Sequence, residues 1–184
     1  MNTEFATIET ARTDDVVWSV NNATILKAPL IGSGMRIYNI HNGLLPGFRG
    51  RPEIAIVHAI LAGENTYGAT LHEVDAGIDT GRVVDVETFD ICPDDRFQEV
   101  MMAGIKSCHV LFERNLDAVV SGHPEAVVRP GASEYYGLDR IRTLDTHRDD
   151  PNFERATALG VFSPLYPEIA KASNITEQTV QARP

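Results

Sequence analysis

The stretch MRIYNIHNGLLPGFRG, residues 35–50, constrains this chain more than any other. Ile37, Tyr38 and Ile40 make an apolar run suited to a buried strand, Asn42-Gly43 breaks it, and Pro46, Gly47 and Gly50 shape a loop beyond. Asn39 and His41 therefore stand at a strand end, and because strand side chains alternate in direction the two point the same way. An amide beside an imidazole at the end of a buried strand has the geometry of a site. The plain structural alternative is a strand histidine satisfied by a backbone carbonyl.

A second stretch, YGATLHEVDAGIDTG at residues 67–81, reads as a strand over Tyr67–Val74 entering a loop. Gly77 and Gly81 bracket Asp79 there and permit backbone shapes closed to other residues, so the carboxylate sits in a specially shaped loop. Taken together, N-x-H at a strand end, LLP-x-x-x-G after it and V-D-x-G-x-D-T-G further on resemble the formyltransferase family that uses 10-formyltetrahydrofolate. The resemblance runs from about Asp15 to Val128 and is looser beyond. It implies a catalytic trio of Asn39, His41 and Asp79, with Thr70 and His72 in support. It also implies a folate cleft lined by Asn22, Ala23, Thr24, Ile25 and Leu26, with Asp75 and Gly77, and no metal.

Charge narrows the acceptor. A formal net charge of −10 and a pI near 5.0 oppose a surface that tracks phosphates, since nucleic-acid affinity rests on Lys and Arg neutralising them. A tRNA substrate and nucleic-acid partners are therefore not expected. Cys92 and Cys108 form neither a C-x-x-C pair nor a metal-ligand spacing with histidines. The start MNTEFATIETARTDD has no basic region followed by an apolar core, and no run of about eighteen apolar residues occurs, so a cytoplasmic protein without a membrane segment is expected.

Periodicity orders the rest. VVWSV, residues 16–20, suits a buried strand, and Lys27–Gly34 reads as a connecting loop. Its G-S-G is no phosphate loop, because a strand follows where a helix N-terminus is needed. Pro52–Glu64 fits a helix, with His58 structural; Val83–Ile91 alternates apolar and acidic residues, as an edge strand with a solvated acidic face would. Asp95-x-x-Gln98 resembles a capping box opening a long helix to about Val120. The loop Asp75–Gly81 fails as a calcium loop, because the positions that need Asp, Gly and Glu hold Gly77, Thr80 and Val86.

The expected fold class is α/β: the C-terminal half of a formyltransferase-type Rossmann-like sheet with flanking helices, plus an irregular tail. The division is residues 1–130 as a truncated catalytic core and 131–184 as a wrap-around tail, frayed from 171. Tyr135, Tyr136, Phe153, Arg155, Phe162 and Tyr166 in that tail resemble those of members that formylate nucleotide-linked amino sugars, or seal the core. The resemblance implies a further mononucleotide-binding half ahead of VVWSV. Without it Val16–Val20 is an open edge, so a homo-oligomer or a complementing chain covering that edge is expected. The expected reaction moves a formyl group from 10-formyltetrahydrofolate to an amine of a small molecule, with a nucleotide-linked amino sugar as one candidate acceptor. A formyltetrahydrofolate hydrolase, a non-catalytic folate-binding or assembly subunit, and altered chemistry in a repurposed site are the alternatives.

Overall fold

The computed structural model describes residues 12, 14–20, 22, 26–122 and 124–180, with side chains to residue 173. Its centre is a four-stranded sheet built from β1 (Val16–Val20), β2 (Arg36–His41), β4 (Thr66–Glu73) and β5 (Val83–Asp90), in spatial order β1-β2-β4-β5. β1 runs parallel to β2, whereas β4 is antiparallel to both β2 and β5. One face of β2 and β4, carrying Tyr38, Ile40, Ala69 and Leu71, is buried with Cys108, Leu111 and Val119 of the long helix α3 (Phe97–Ser121). The opposite face carries the polar residues singled out in the sequence.

The short α1 (Ala28–Ile31) has Pro29 in its first turn and makes one helical turn where a plain loop was expected. α2 (Pro52–Leu61) follows the short strand β3 (Arg49–Gly50), and Pro52 opens it where a backbone N–H would have no partner in any case. α3 begins one residue later than the expected capping box. Glu99, not Gln98, reaches back to accept the Arg96 N–H at 3.1 Å, while Gln98 Oε1 accepts the Val161 N–H at 2.8 Å. The acidic residues of β5 are not simply solvated either: Arg114 of α3 donates to Asp85 at 2.9 Å and to Glu87 at 2.6 Å, and Asn115 adds a 2.8 Å bond to Asp85. The guanidinium comes from a helix remote in sequence, so strand alternation alone could not reveal it.

The segment beyond residue 131 is largely helical. β6 (Tyr135–Tyr136) pairs in parallel with β3, and two 3₁₀ segments, Leu138–His147 and Gly160–Leu165, alternate with α4 (Phe153–Thr157) and α5 (Pro167–Val180). Leu144, Leu159, Phe162 and Ile169 share one buried cluster with Ile56, Ile60, Phe97 and Met101. Helix continues through residues expected to fray, because Ile169 and Ala172 anchor α5 in that cluster.

Candidate active site

Asn39 lies directly opposite His72 in the β2–β4 ladder, and His41 opposite Thr70. All four side chains therefore stand on one sheet face, as cross-strand neighbours. The β4–β5 register slips between Leu71 and His72, and such a bulge re-aims the side chain beside it. His72 Nδ1 is 2.8 Å from the Glu73 carbonyl oxygen, which can only accept, so Nδ1 bears the proton. Nε2 is then the acceptor, and Asn39 Nδ2 donates to it at 3.0 Å.

His41 is held the other way round. Its Nε2 donates to the Phe48 carbonyl at 2.6 Å, leaving Nδ1 as the bare nitrogen of the neutral ring. The strand histidine is thus satisfied by a backbone carbonyl at one nitrogen and turned towards Asp79 at the other. Gly43 makes this fold-back possible, since a Cβ there would come within 2.6 Å of both His41 Nε2 and the Phe48 oxygen.

Asp79 completes the group from its loop, with a left-handed backbone at φ 52°. Its Oδ2 accepts the Gly50 N–H at 2.8 Å and lies 3.7 Å from His41 Nδ1, and its Oδ1 lies 3.6 Å from His72 Nε2. Gly50 itself sits at φ 98°, and a Cβ there would meet the Tyr136 carbonyl at 2.7 Å. Each oxygen of one carboxylate thus has an imidazole nitrogen within 3.7 Å. Burial holds the His72 pKa below its ordinary value; the Glu73 carbonyl and Asp79 pull it up, and His41 adds to the lowering.

These side chains open onto a cavity of about 650 Å³. Asn22, Leu26, Asp75 and Gly77 line it with Asn39, His41, His72 and Asp79; Ala23, Thr24 and Ile25 lie outside the described residues. Asp75 Oδ1 accepts from the Gly77 N–H at 3.0 Å and from the Thr80 hydroxyl at 2.6 Å, so it shapes the loop from within. Thr70 is not part of the cavity wall: fully buried, it donates to the Gly43 carbonyl at 2.7 Å and accepts the Leu45 N–H at 3.1 Å. It supports the site by holding the loop after β2.

Sequence reading missed Arg51 and Glu53, which also line the cavity, as do Tyr135 and Tyr166 of the tail, read there either as residues like those of amino-sugar formyltransferases or as a seal on the core. Glu53 is buried in the first turn of α2, with Arg51 Nε donating to it at 2.6 Å. An acidic residue in a helix's first turn is ordinarily explained by the helix dipole, so only its burial beside the cavity marks it. Among the described residues no group of three or more His, Cys, Asp or Glu is placed to hold a metal ion, and no helix is long and apolar enough to cross a membrane.

A family model described as Formyl transferase matches residues 2–115, well over half the chain. The chain belongs to the formyl transferase family. Among curated relatives of this formyl transferase chain, the trifunctional purine biosynthetic protein adenosine-3 of Drosophila melanogaster is 32% identical over 120 residues, 65% of this chain and 9% of the relative. The methionyl-tRNA formyltransferase of Nitrosococcus oceani is 40% identical over 73 residues, 40% of this chain and 21% of the relative. An N-formyltransferase from Helicobacter canadensis, solved with folinic acid and dTDP-3-aminofucose, shares the fold at TM-score 0.63 and 22% identity, over 88% of this chain and 55% of that one. The chain thus spans only part of the length of each protein it matches, and the α/β fold of the family is present in the part it spans.

Proposed function

We propose that this chain transfers a formyl group from 10-formyltetrahydrofolate to the amine nitrogen of a small molecule. The observation that carries the reading is the convergence of Asn39, His72, Asp79 and His41 on one cavity, the four linked in that order by three contacts of 3.0, 3.6 and 3.7 Å. Formyl transfer passes through a tetrahedral intermediate, which requires a donor for the developing oxyanion and an acceptor for the amine's proton. Asn39 has two amide N–H groups, one directed to His72 and one left for the oxyanion. The His41–Asp79 pair relays the proton: attack by the amine forms the C–N bond and passes its proton to the pair, and collapse of the intermediate breaks the bond from the formyl carbon to N10 as N10 takes up a proton, releasing tetrahydrofolate.

Leu26, Ile31, Val74 and Ile78 give one part of the cavity apolar walls, and the backbone of Asp75–Gly77 offers polar edges, a lining that suits a flat heterocycle such as a pterin. A nucleotide-linked amino sugar is the acceptor class we favour. It is supported by Tyr135 and Tyr166 at the cavity, residues from the segment that resembles amino-sugar formyltransferases, and by the dTDP-aminosugar bound to the Helicobacter canadensis relative in fold. The test is consumption of 10-formyltetrahydrofolate by the purified chain with and without a panel of amines, Asp79→Asn alongside. Consumption that needs both an amine and Asp79 supports the transferase. Consumption without any amine would make the chain a hydrolase, and none at all in folded protein would leave a folate-binding role.

A further inference from the structure

Gly50 of β3 stands between a strand and a carboxylate. The residues on either side of it bond to β6: the Arg49 N–H donates to the Glu134 carbonyl and the Arg51 N–H to the Tyr136 carbonyl, both at 2.9 Å. N–H groups alternate in direction along a strand, so the Gly50 N–H points to the opposite edge, and there it meets Asp79 Oδ2 at 2.8 Å where another strand would bond. The carboxylate thus caps the outer edge of the two-stranded β3–β6 ladder. A sheet edge ordinarily presents its N–H groups to water. Yet the Asp79 side chain is only 12% exposed, in a loop whose residues 75–78 and 80 are all exposed.

Tyr135 of β6 lies at this point. A Cβ on Gly50 would come within 2.8 Å of Tyr135 Cε2, and a Cβ on Gly137 within 2.9 Å of Tyr135 Cε1. The ring is therefore seated against two bare glycine backbones, one along each of its edges. Its neighbour Tyr136 is buried with Ile54 and Ala55, whereas Tyr135 joins none of the buried apolar clusters among the described residues. It remains 44% exposed and borders the cavity together with Asp79. Core burial does not account for this placement; contact with Gly50 does. A ring pressed on the Gly50 backbone hinders it from turning its N–H away from the carboxylate and keeps water from one flank of the bond, and a carboxylate kept dry acts more strongly on the imidazoles beside it. We propose that Tyr135 is a positioning residue for Asp79: its ring clamps Gly50, holds the N–H···Oδ2 bond closed and so keeps the carboxylate facing His41 and His72. The role rests on the formyl-transfer reading for what Asp79 does in the reaction.

The test compares Tyr135→Ala and Tyr135→Phe with the parent chain, by amide hydrogen exchange read by NMR and by steady-state kinetics. Tyr135→Ala removes the ring and is expected to speed exchange at Gly50 about tenfold or more, while the Arg49 and Arg51 amides, bonded to β6, change far less. Tyr135→Phe keeps the ring and is expected to keep Gly50 protected. In formyl transfer, Tyr135→Ala is expected to lower kcat by roughly ten- to a hundredfold with the KM for 10-formyltetrahydrofolate little changed, and Tyr135→Phe to stay near the parent. Exchange at Gly50 unaltered by Tyr135→Ala, or raised as much by Tyr135→Phe, overturns the proposal. So does acceleration of all three amides together, which would mean only that β3 has left β6, and so does an unchanged kcat beside faster Gly50 exchange. A parent chain that transfers no formyl group overturns the reaction rather than the clamp, because the exchange rates are read without any substrate.

Discussion

The Gly50 backbone N–H donates to Asp79 Oδ2 across 2.8 Å, and this bond ties the loop that follows β2 to the loop that follows β4. Arg49 reinforces the tie, its Nε donating to the Ile78 carbonyl at 2.9 Å. The pairing of β3 with β6 in turn holds Gly50, through Arg49 N to Glu134 O and Arg51 N to Tyr136 O, both 2.9 Å. The position of the carboxylate therefore depends on residues of the C-terminal segment as well as on its own loop.

Asp79→Asn keeps an oxygen for the Gly50 N–H but removes the charge that faces both imidazoles. Turnover is expected to fall by on the order of a hundredfold or more, as for a lost acid–base or electrostatic group, with little loss of stability. Steady-state rates and a denaturation curve measured together would check this; unchanged turnover would remove Asp79 from the reaction.

Gly43→Ala introduces a Cβ 2.6 Å from His41 Nε2 and from the Phe48 oxygen, the two atoms it would have to separate. The expected cost is about 1–3 kcal/mol, typical of overpacking in a close-packed site, with turnover reduced because the ring loses its anchor. A urea midpoint equal to that of the parent chain would show that the His41–Phe48 bond tolerates the methyl group.

Thr70→Val removes a hydroxyl that bridges Gly43 O and Leu45 N inside the core. Both backbone groups would then be buried without their partner, and the expected loss is about 1–3 kcal/mol. Equilibrium unfolding measures it directly, and a neutral result would mean that the loop after β2 finds other partners.

Stability is expected to fall on acidification. Burial keeps His72 and His58 below the ordinary 6.5, and for His58 the neighbouring Arg140 and His147 act in the same direction. The unfolded chain takes up these protons at a higher pH than the folded chain does. The contribution of the neutral rings is therefore complete above about pH 6.5 and is lost as the pH falls through their folded values. Urea midpoints measured across this range should decline, and His58→Gln and His72→Gln should each flatten the decline; an unaltered slope in both would assign it to other groups.

Phe162→Ala tests whether the C-terminal segment belongs to the core. Phe162 is buried, edge-on to Phe97 and stacked with Tyr166 at centroid distances of 6.2 and 6.4 Å. Truncation is expected to cost about 3–5 kcal/mol, as for other buried aromatics. A loss well below 1 kcal/mol would show a segment whose packing adds little to the rest.

Local pattern in the sequence determined a good deal of this molecule. The β-branched run before Asn42-Gly43, the alternation along residues 83–91 and the three-and-four spacing of α3 each report an element through contacts made within it, so these three were legible nearly to their ends, whereas α1, the short β3 and β6 and the helices of the tail were not. Period-two alternation likewise placed Asn39 with His41, and Thr70 with His72, on common faces. What only the tertiary structure decided depends on which elements meet. Asn39 faces His72 because β4 returns antiparallel to β2, His41 turns its bare nitrogen to Asp79 because the Phe48 carbonyl folds back onto Nε2, and Glu53 reaches the cavity because α2 starts beside Gly50. Arg114 neutralises a strand more than twenty residues away, and Tyr135 closes a cavity whose floor lies almost a hundred residues earlier. Such contacts are selected by packing between distant segments and leave no periodic trace in either one.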